Sequence, residues 1–149
     1  SGGLASSFFA LASNTTANTV FMGGLDISFI GGQSRILLGE VSRSTGLATS
    51  FNASIASGLS RLVRSVSLDR VSGHVLIAGN WTTVGGVSRP NVAQCDIATG
   101  AVSAWAPSPN ASVYQAQFPV SRVVLIVGDF TAVTSNVLSG GTRCAVLSR

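Results

Sequence analysis

The sequence predicts an all-β fold, and three observations carry that expectation. Only 9% of the 149 residues are charged while 46% are apolar, and the remaining polarity is mostly Ser, Thr, Asn and Gly, which suits short strands and tight turns rather than exposed helices. β-Branched residues dominate the apolar runs, Gly recurs every few residues, and no window holds a sustained i, i+3, i+4, i+7 stripe. The stretch from Val75 to Trp105 also recurs along the chain as imperfect copies. Such copies are units that bury a face only against their neighbours.

Within that stretch, Val75 to Gly79 reads as a short apolar strand and Val84-Gly85-Gly86 ends a turn. Asn91 to Ile97 reads as a second strand, and Thr99-Gly100 turns into a third that ends at Trp105. Val113 to Phe118 supplies a fourth, before a turn at Pro119 to Arg122. Four short strands in about 50 residues is the size of a propeller-blade unit, with a β-solenoid-like array as the alternative.

The copies align on these landmarks. Upstream, Val20 to Gly24 matches Val75 to Gly79, Gly31-Gly32-Gln33-Ser34-Arg35 matches Gly85 to Arg89, and Phe51 falls on Trp105, with Leu62 to Leu68 as the fourth strand. Downstream, Leu125 to Val133 matches Leu76 to Val84, and Cys144 falls on Cys95. The ends of the chain match an internal stretch: Ser148-Arg149 followed by Ser1 to Phe8 reads SRSGGLASSF, against SRSTGLATSF from Ser42 to Phe51. The spacings between Gly24, Gly79 and Gly128, carried around that junction, are 55, 49 and 45 residues and together equal the chain length.

Residues 1–149 therefore read as one period of a β repeat array, with about three four-stranded antiparallel repeats of 45–55 residues, one of them split across the termini. The sub-repeats run approximately 20–74, 75–122, and 123–149 completed by 1–19 of the next copy. A self-closed ring is the competing arrangement. The array is favoured because propellers typically need 4 to 8 blades.

The run Gly79-Asn-Trp-Thr-Thr-Val-Gly-Gly-Val-Ser-Arg89, followed by Asp96 to Gly100 and an aromatic at Trp105, resembles the delta-sixty β-propeller repeat of bacterial surface proteins and fungal cell-cortex proteins. That family reads approximately GGxFTxVGGxxR, then a short strand, then a turn before an aromatic. The resemblance implies a propeller-type scaffold and brings no catalytic residues with it. Two copies depart from the pattern: Gly24 to Ile30 carries an extra residue, and the segment after Val133 has only a displaced Gly140-Gly141.

The motif also has a physical reading of its own. Gly79, Gly85, Gly86 and Gly100 suit positive φ in tight turns, and Gly24 and Gly128 hold the position of Gly79 in the other copies. Trp81 and Phe130 are expected between neighbouring sheets, and Phe8, Phe9, Phe51 and Trp105 in the core between repeats. Arg35 and Arg89 share the GGxSR position, with Arg143 following Gly140-Gly141, and are expected to cap turn carbonyls or stack on an aromatic ahead of recognising an anionic ligand.

Several function classes find no support. All nine basic residues are Arg and lie scattered, so no basic stripe marks a nucleic-acid partner. No apolar run approaches the ~18 residues of a membrane-spanning helix. His74 and the five acids, Asp26, Glu40, Asp69, Asp96 and Asp129, form no catalytic or metal-ligating pattern, and neither a phosphate loop nor a nucleophile elbow is present. No enzyme activity, cofactor or metal is expected. Asp26, Asn80 and Asp129 fall at nearly equivalent turns, where local hydrogen bonding outweighs Ca²⁺ binding. Cys95 and Cys144 are a candidate disulfide, with free buried thiols as the alternative.

Four sequons stand at Asn14, Asn52, Asn80 and Asn110. Three of them, Asn14, Asn52 and Asn110, are expected in the loop between third and fourth strands, on one common edge. The function read from these features is an extracellular, glycosylated structural protein, secreted or on a cell surface, with copies of itself head to tail as partners in a fibre or appendage. The alternative is a propeller-like binding or adhesion module that recognises a glycan or a surface protein.

Overall fold

The computed structural model describes residues 6–56, 62–120 and 122–149. Every helix or strand element among them is a strand. In chain order these are β1 (Ser7–Asn14), β2 (Thr19–Leu25), β3 (Phe29–Ile30), β4 (Gln33–Ser34), β5 (Leu38–Ser42), β6 (Ile55–Ala56), β7 (Leu62–Asp69) and β8 (His74–Asn80). There follow β9 (Thr83–Val84), β10 (Val87–Ser88), β11 (Val92–Asp96), β12 (Val113–Val120), β13 (Val123–Gly128), β14 (Val137–Gly141) and β15 (Cys144–Ser148). The chain is all-β, in antiparallel sheets of which none closes into a barrel.

Three units repeat one pattern. β2 lies between β1 and β5, β8 between β7 and β11, and β13 between β12 and β15, always antiparallel. Among the described residues, the pair Leu25↔Leu62 links the first two units into one continuous sheet. On the outer edge of the third strand the first two units carry isolated bridges, Val41↔Ala48 and Cys95↔Val102. In the third unit β14 covers that edge, with Ser139 opposite Val146. The matching stretch Ser1 to Ala5 lies outside the described residues.

The strands differ in phase from the sequence reading. Leu62–Asp69 and Val113–Val120, expected to close one copy, pair with the first strand of the next. Ser7–Asn14, expected to complete a neighbouring copy, pairs with Thr19–Leu25 of its own unit. The cause is connection length: Thr15 to Asn18 and Arg70 to Gly73 are hairpin turns, and strands joined by short turns become antiparallel neighbours.

Two cores separate the three units. The run Val75 to Ala78 on β8 is fully buried because the middle unit is covered on both faces, as a continuous apolar run requires. With a period of two, Val75 and Ile77 enter the first core with Phe21, Phe51 and Trp81. Leu76 and Ala78 enter the second with Trp105, Val124, Ile126 and Phe130.

One closure recurs at the end of each central strand. The N–H groups of Gly24, Gly79 and Gly128 donate to the carbonyls of Leu37, Asn91 and Arg143. Those three residues take positive φ, of 64°, 65° and 71°, and their own N–H groups donate to the carbonyls of Ile27, Trp81 and Phe130. Ile27 thus holds the aromatic position of the first unit, one residue late. The same closure corrects the cysteine alignment. Phe130 to Arg143 spans 13 positions where Trp81 to Asn91 spans 10, so Cys144 corresponds to Val92, and Cys95 to Leu147.

Candidate functional site

The feature built by all three units is the joint between stacked sheets. Phe51 meets Phe21 edge to face, with centroids 4.9 Å apart at 86°. Trp81 is buried and its Nε1–H donates to the Arg89 carbonyl at 2.8 Å. Trp105 is also buried, and its Nε1–H donates to the Ser148 carbonyl at 2.8 Å, tying the second unit to the third. Phe130 is fully buried.

Two arginines fasten the outer strands. Arg35 Nε and Nη2 donate to the carbonyls of Phe51 and Thr49 at 2.9 and 2.8 Å. Arg89 Nε and Nη2 both donate to the Ser103 carbonyl, at 3.2 and 2.8 Å. Both arginines cap carbonyls as expected. Arg143 lies two positions later in the closure, is exposed, and stands 4.0 Å from Asp129. Gly85, Gly86 and Gly100 adopt positive φ, as turns of this kind require, whereas Gly79, expected to do the same, is extended within β8 and is glycine because the Leu62 carbonyl leaves no room for a Cβ.

The outer faces of the end units are open and apolar at their centres, with exposed Gln115 and Gln117 paired to Val127 and Leu125 on one and exposed Ser13 paired to Val20 on the other. On β13, Leu125 and Val127 are 36% and 45% exposed and hold the register positions of the buried Leu76 and Ala78. On β2, half-buried Val20 and Met22 hold the positions of Val75 and Ile77, and Leu11, opposite Met22, is 67% exposed. Each open face is thus the counterpart of one that the middle unit buries. Phe8 and Phe9, expected in the core between repeats, are instead exposed on β1.

The candidate disulfide does not form. Cys95 is buried in the first core, while Cys144 is exposed on β15, on the side away from buried Ala145 and Leu147, and both thiols are free. Burial pushes the Cys95 thiol up to about 12. A thiol reagent is expected to modify Cys144 in the folded protein and Cys95 only after unfolding, as followed by intact mass. Two equally fast additions would contradict this placement.

The sequons do not share one edge. Asn14 ends β1 beside the first hairpin, is buried, and accepts from the Ala17 N–H. Asn110 is exposed beyond the opposite end of the strands, where its Oδ1 accepts from the N–H groups of Thr131 and Ala132 and its Nδ2 donates to Thr131 Oγ1. Asn52 is exposed and Asn80 is the half-buried last residue of β8. The shifted strand phase accounts for the difference, because Asn14 closes a strand instead of following one.

One polar cluster was not legible in the sequence. Ser72 Oγ donates to Asp69 Oδ2 at 2.6 Å, Arg149 pairs with Asp69 and donates to His74 Nδ1 at 2.9 Å, and the Arg149 guanidinium lies 4.9 Å from the Phe118 ring centre. The Ser72 hydroxyl first, then Arg149, holds the Asp69 carboxyl well below the usual carboxylate range. A lowered pKa makes this contribution to stability complete above the unfolded value of about 4, with loss as pH falls below it. Asp69→Asn should therefore destabilise the chain at pH 7 by about 1 kcal/mol, and urea titrations should show the gap narrowing below pH ~4. A gap that stays constant would contradict the assignment.

Among the described residues, no group of three or more His, Cys, Asp or Glu side chains comes together to hold a metal, and no helix is long and apolar enough to cross a membrane. Fold and joints define a chain of stacked antiparallel β units whose recurring chemistry is packing and carbonyl capping. Comparison with protein-family models, curated proteins and solved structures finds no match for it.

Proposed function

We propose that this chain is one period of an extracellular, glycosylated structural protein, in which propeller-blade-like units continue head to tail into a fibre or surface appendage. One observation carries the reading: the middle unit is covered on both faces, whereas each end unit keeps open the counterpart of a face that the middle unit buries. A continuing stack buries those faces in the same way. The match between SRSGGLASSF across the termini and SRSTGLATSF supports continuation. So does the resemblance to delta-sixty repeats of surface proteins. Asn52 and Asn110 are the exposed sequon asparagines, and Asn52 is the first candidate for a glycan because the Asn110 amide nitrogen is engaged with Thr131.

Electron microscopy of native material is expected to show filaments, and N-glycosidase treatment to lower the mass. Monodisperse single chains would contradict assembly. An unchanged mass would contradict the glycoprotein.

A further inference from the structure

We infer that the joint between copies is heterologous: the open face of the third unit, Leu125, Val127 and Val146 with Cys144, receives the open face of the first unit, Leu11, Val20 and Met22, of a second copy. The inference rests on the proposed array and specifies the surfaces through which it would continue.

Strand register relates the two open faces to the faces buried inside the chain. In the middle unit, Leu76 and Ala78 face the following unit and Val75 and Ile77 face the preceding one. Leu125 and Val127 are the counterparts of Leu76 and Ala78, fixed by the pairs Val127↔Cys144 and Ala78↔Val92. Val20 and Met22 are the counterparts of Val75 and Ile77, fixed by Gly23↔Leu38 and the same Ala78↔Val92 pair. The two open faces are therefore the two halves of a joint that the chain already makes twice internally.

The faces are also matched in chemistry. The strand centres are apolar apart from Cys144, a small and weakly polar side chain, and exposed Gln115 and Gln117 stand opposite Val127 and Leu125 where Ser65 and Ser67 stand opposite Ala78 and Leu76 in the middle unit. Docking a face on its own kind would place two following-type faces together, a combination that neither internal joint uses. A joint between unlike faces propagates instead of closing on a pair.

Cys144 reports on the joint directly, because it stands at the position of buried Val92 but is exposed in the single chain. Two copies joined in frame should contain one Cys144 that labels at least tenfold more slowly than in the single chain and one that labels at the single-chain rate. Equal, fast labelling of both would overturn the inference.

Polarity is tested with Leu125→Arg and Met22→Arg, each altering one open face. Each variant alone should remain monomeric in sedimentation, and an equimolar mixture should form dimers through the one unaltered face of each partner. Cys95, still unreactive, verifies that each variant is folded. Assembly by either variant alone, or no dimer in the mixture, would overturn the inference. Native filaments combined with fast labelling of every Cys144 would place the joint elsewhere and leave the array standing. Native single chains would remove both.

Discussion

Gly79→Ala is expected to cost about 3 kcal/mol or more, because the added methyl has nowhere to go. A Cβ at Gly79 would lie 1.9 Å from the Leu62 carbonyl oxygen and 2.8 Å from Trp81 Cζ3. The first contact is with backbone, held by the β7 and β8 pairing, so relief requires two strands to separate. Gly24 and Gly128 face the same constraint, with Cβ positions 1.9 and 2.1 Å from the carbonyl oxygens of Ser7 and Ser112. Gly86→Ala is the contrast. Nothing lies within 4 Å of its Cβ, and only the φ of +77° resists the change, at about 1 kcal/mol. Urea unfolding of the two variants should separate them clearly, and equal costs would contradict the close strand approach at Gly79.

Trp81→Ala is expected to cost about 3 to 5 kcal/mol, the range for emptying the site of a buried large aromatic. The indole is 1% exposed and fills the first core beside Phe51 and Val84. Trp81→Phe keeps most of that packing and removes the donor to the Arg89 carbonyl, for which about 1 kcal/mol is the expected loss from the hydrogen bond. The difference between the variants measures packing against capping. An alanine variant within about 1 kcal/mol of the parent would show that the joint is not built on this ring.

Much of this joint was legible in the sequence, for identifiable reasons. Gly79, Trp81 and the Gly85-Gly86 turn recur because one backbone closure repeats, and turn glycines and core aromatics tolerate few replacements. The strand phase was hidden. A period says how often a unit returns but not where one sheet ends, and only the hairpins at Thr15 to Asn18 and Arg70 to Gly73 decide that Ser7–Asn14 and Leu62–Asp69 open their units.

The third copy departs from the others before Cys144, because Phe130 to Arg143 is longer and its Gly140-Gly141 belongs to β14, not to a turn like Gly85-Gly86. The closing residues Leu37, Asn91 and Arg143 share no side-chain chemistry. Their common positive φ could not be read from residue type. The cluster of Asp69, Ser72, His74 and Arg149 joins groups some 75 to 80 positions apart, beyond the reach of any local motif.

The central proposal is that each unit stacks its following face on the preceding face of the next, within the chain and from copy to copy. Urea unfolding of chains with one, two and three in-frame copies tests it most directly. The account predicts that stability per copy rises with copy number, since each added copy contributes its own units and one further joint. Copies that unfold independently, each with the midpoint of the single chain, would contradict it.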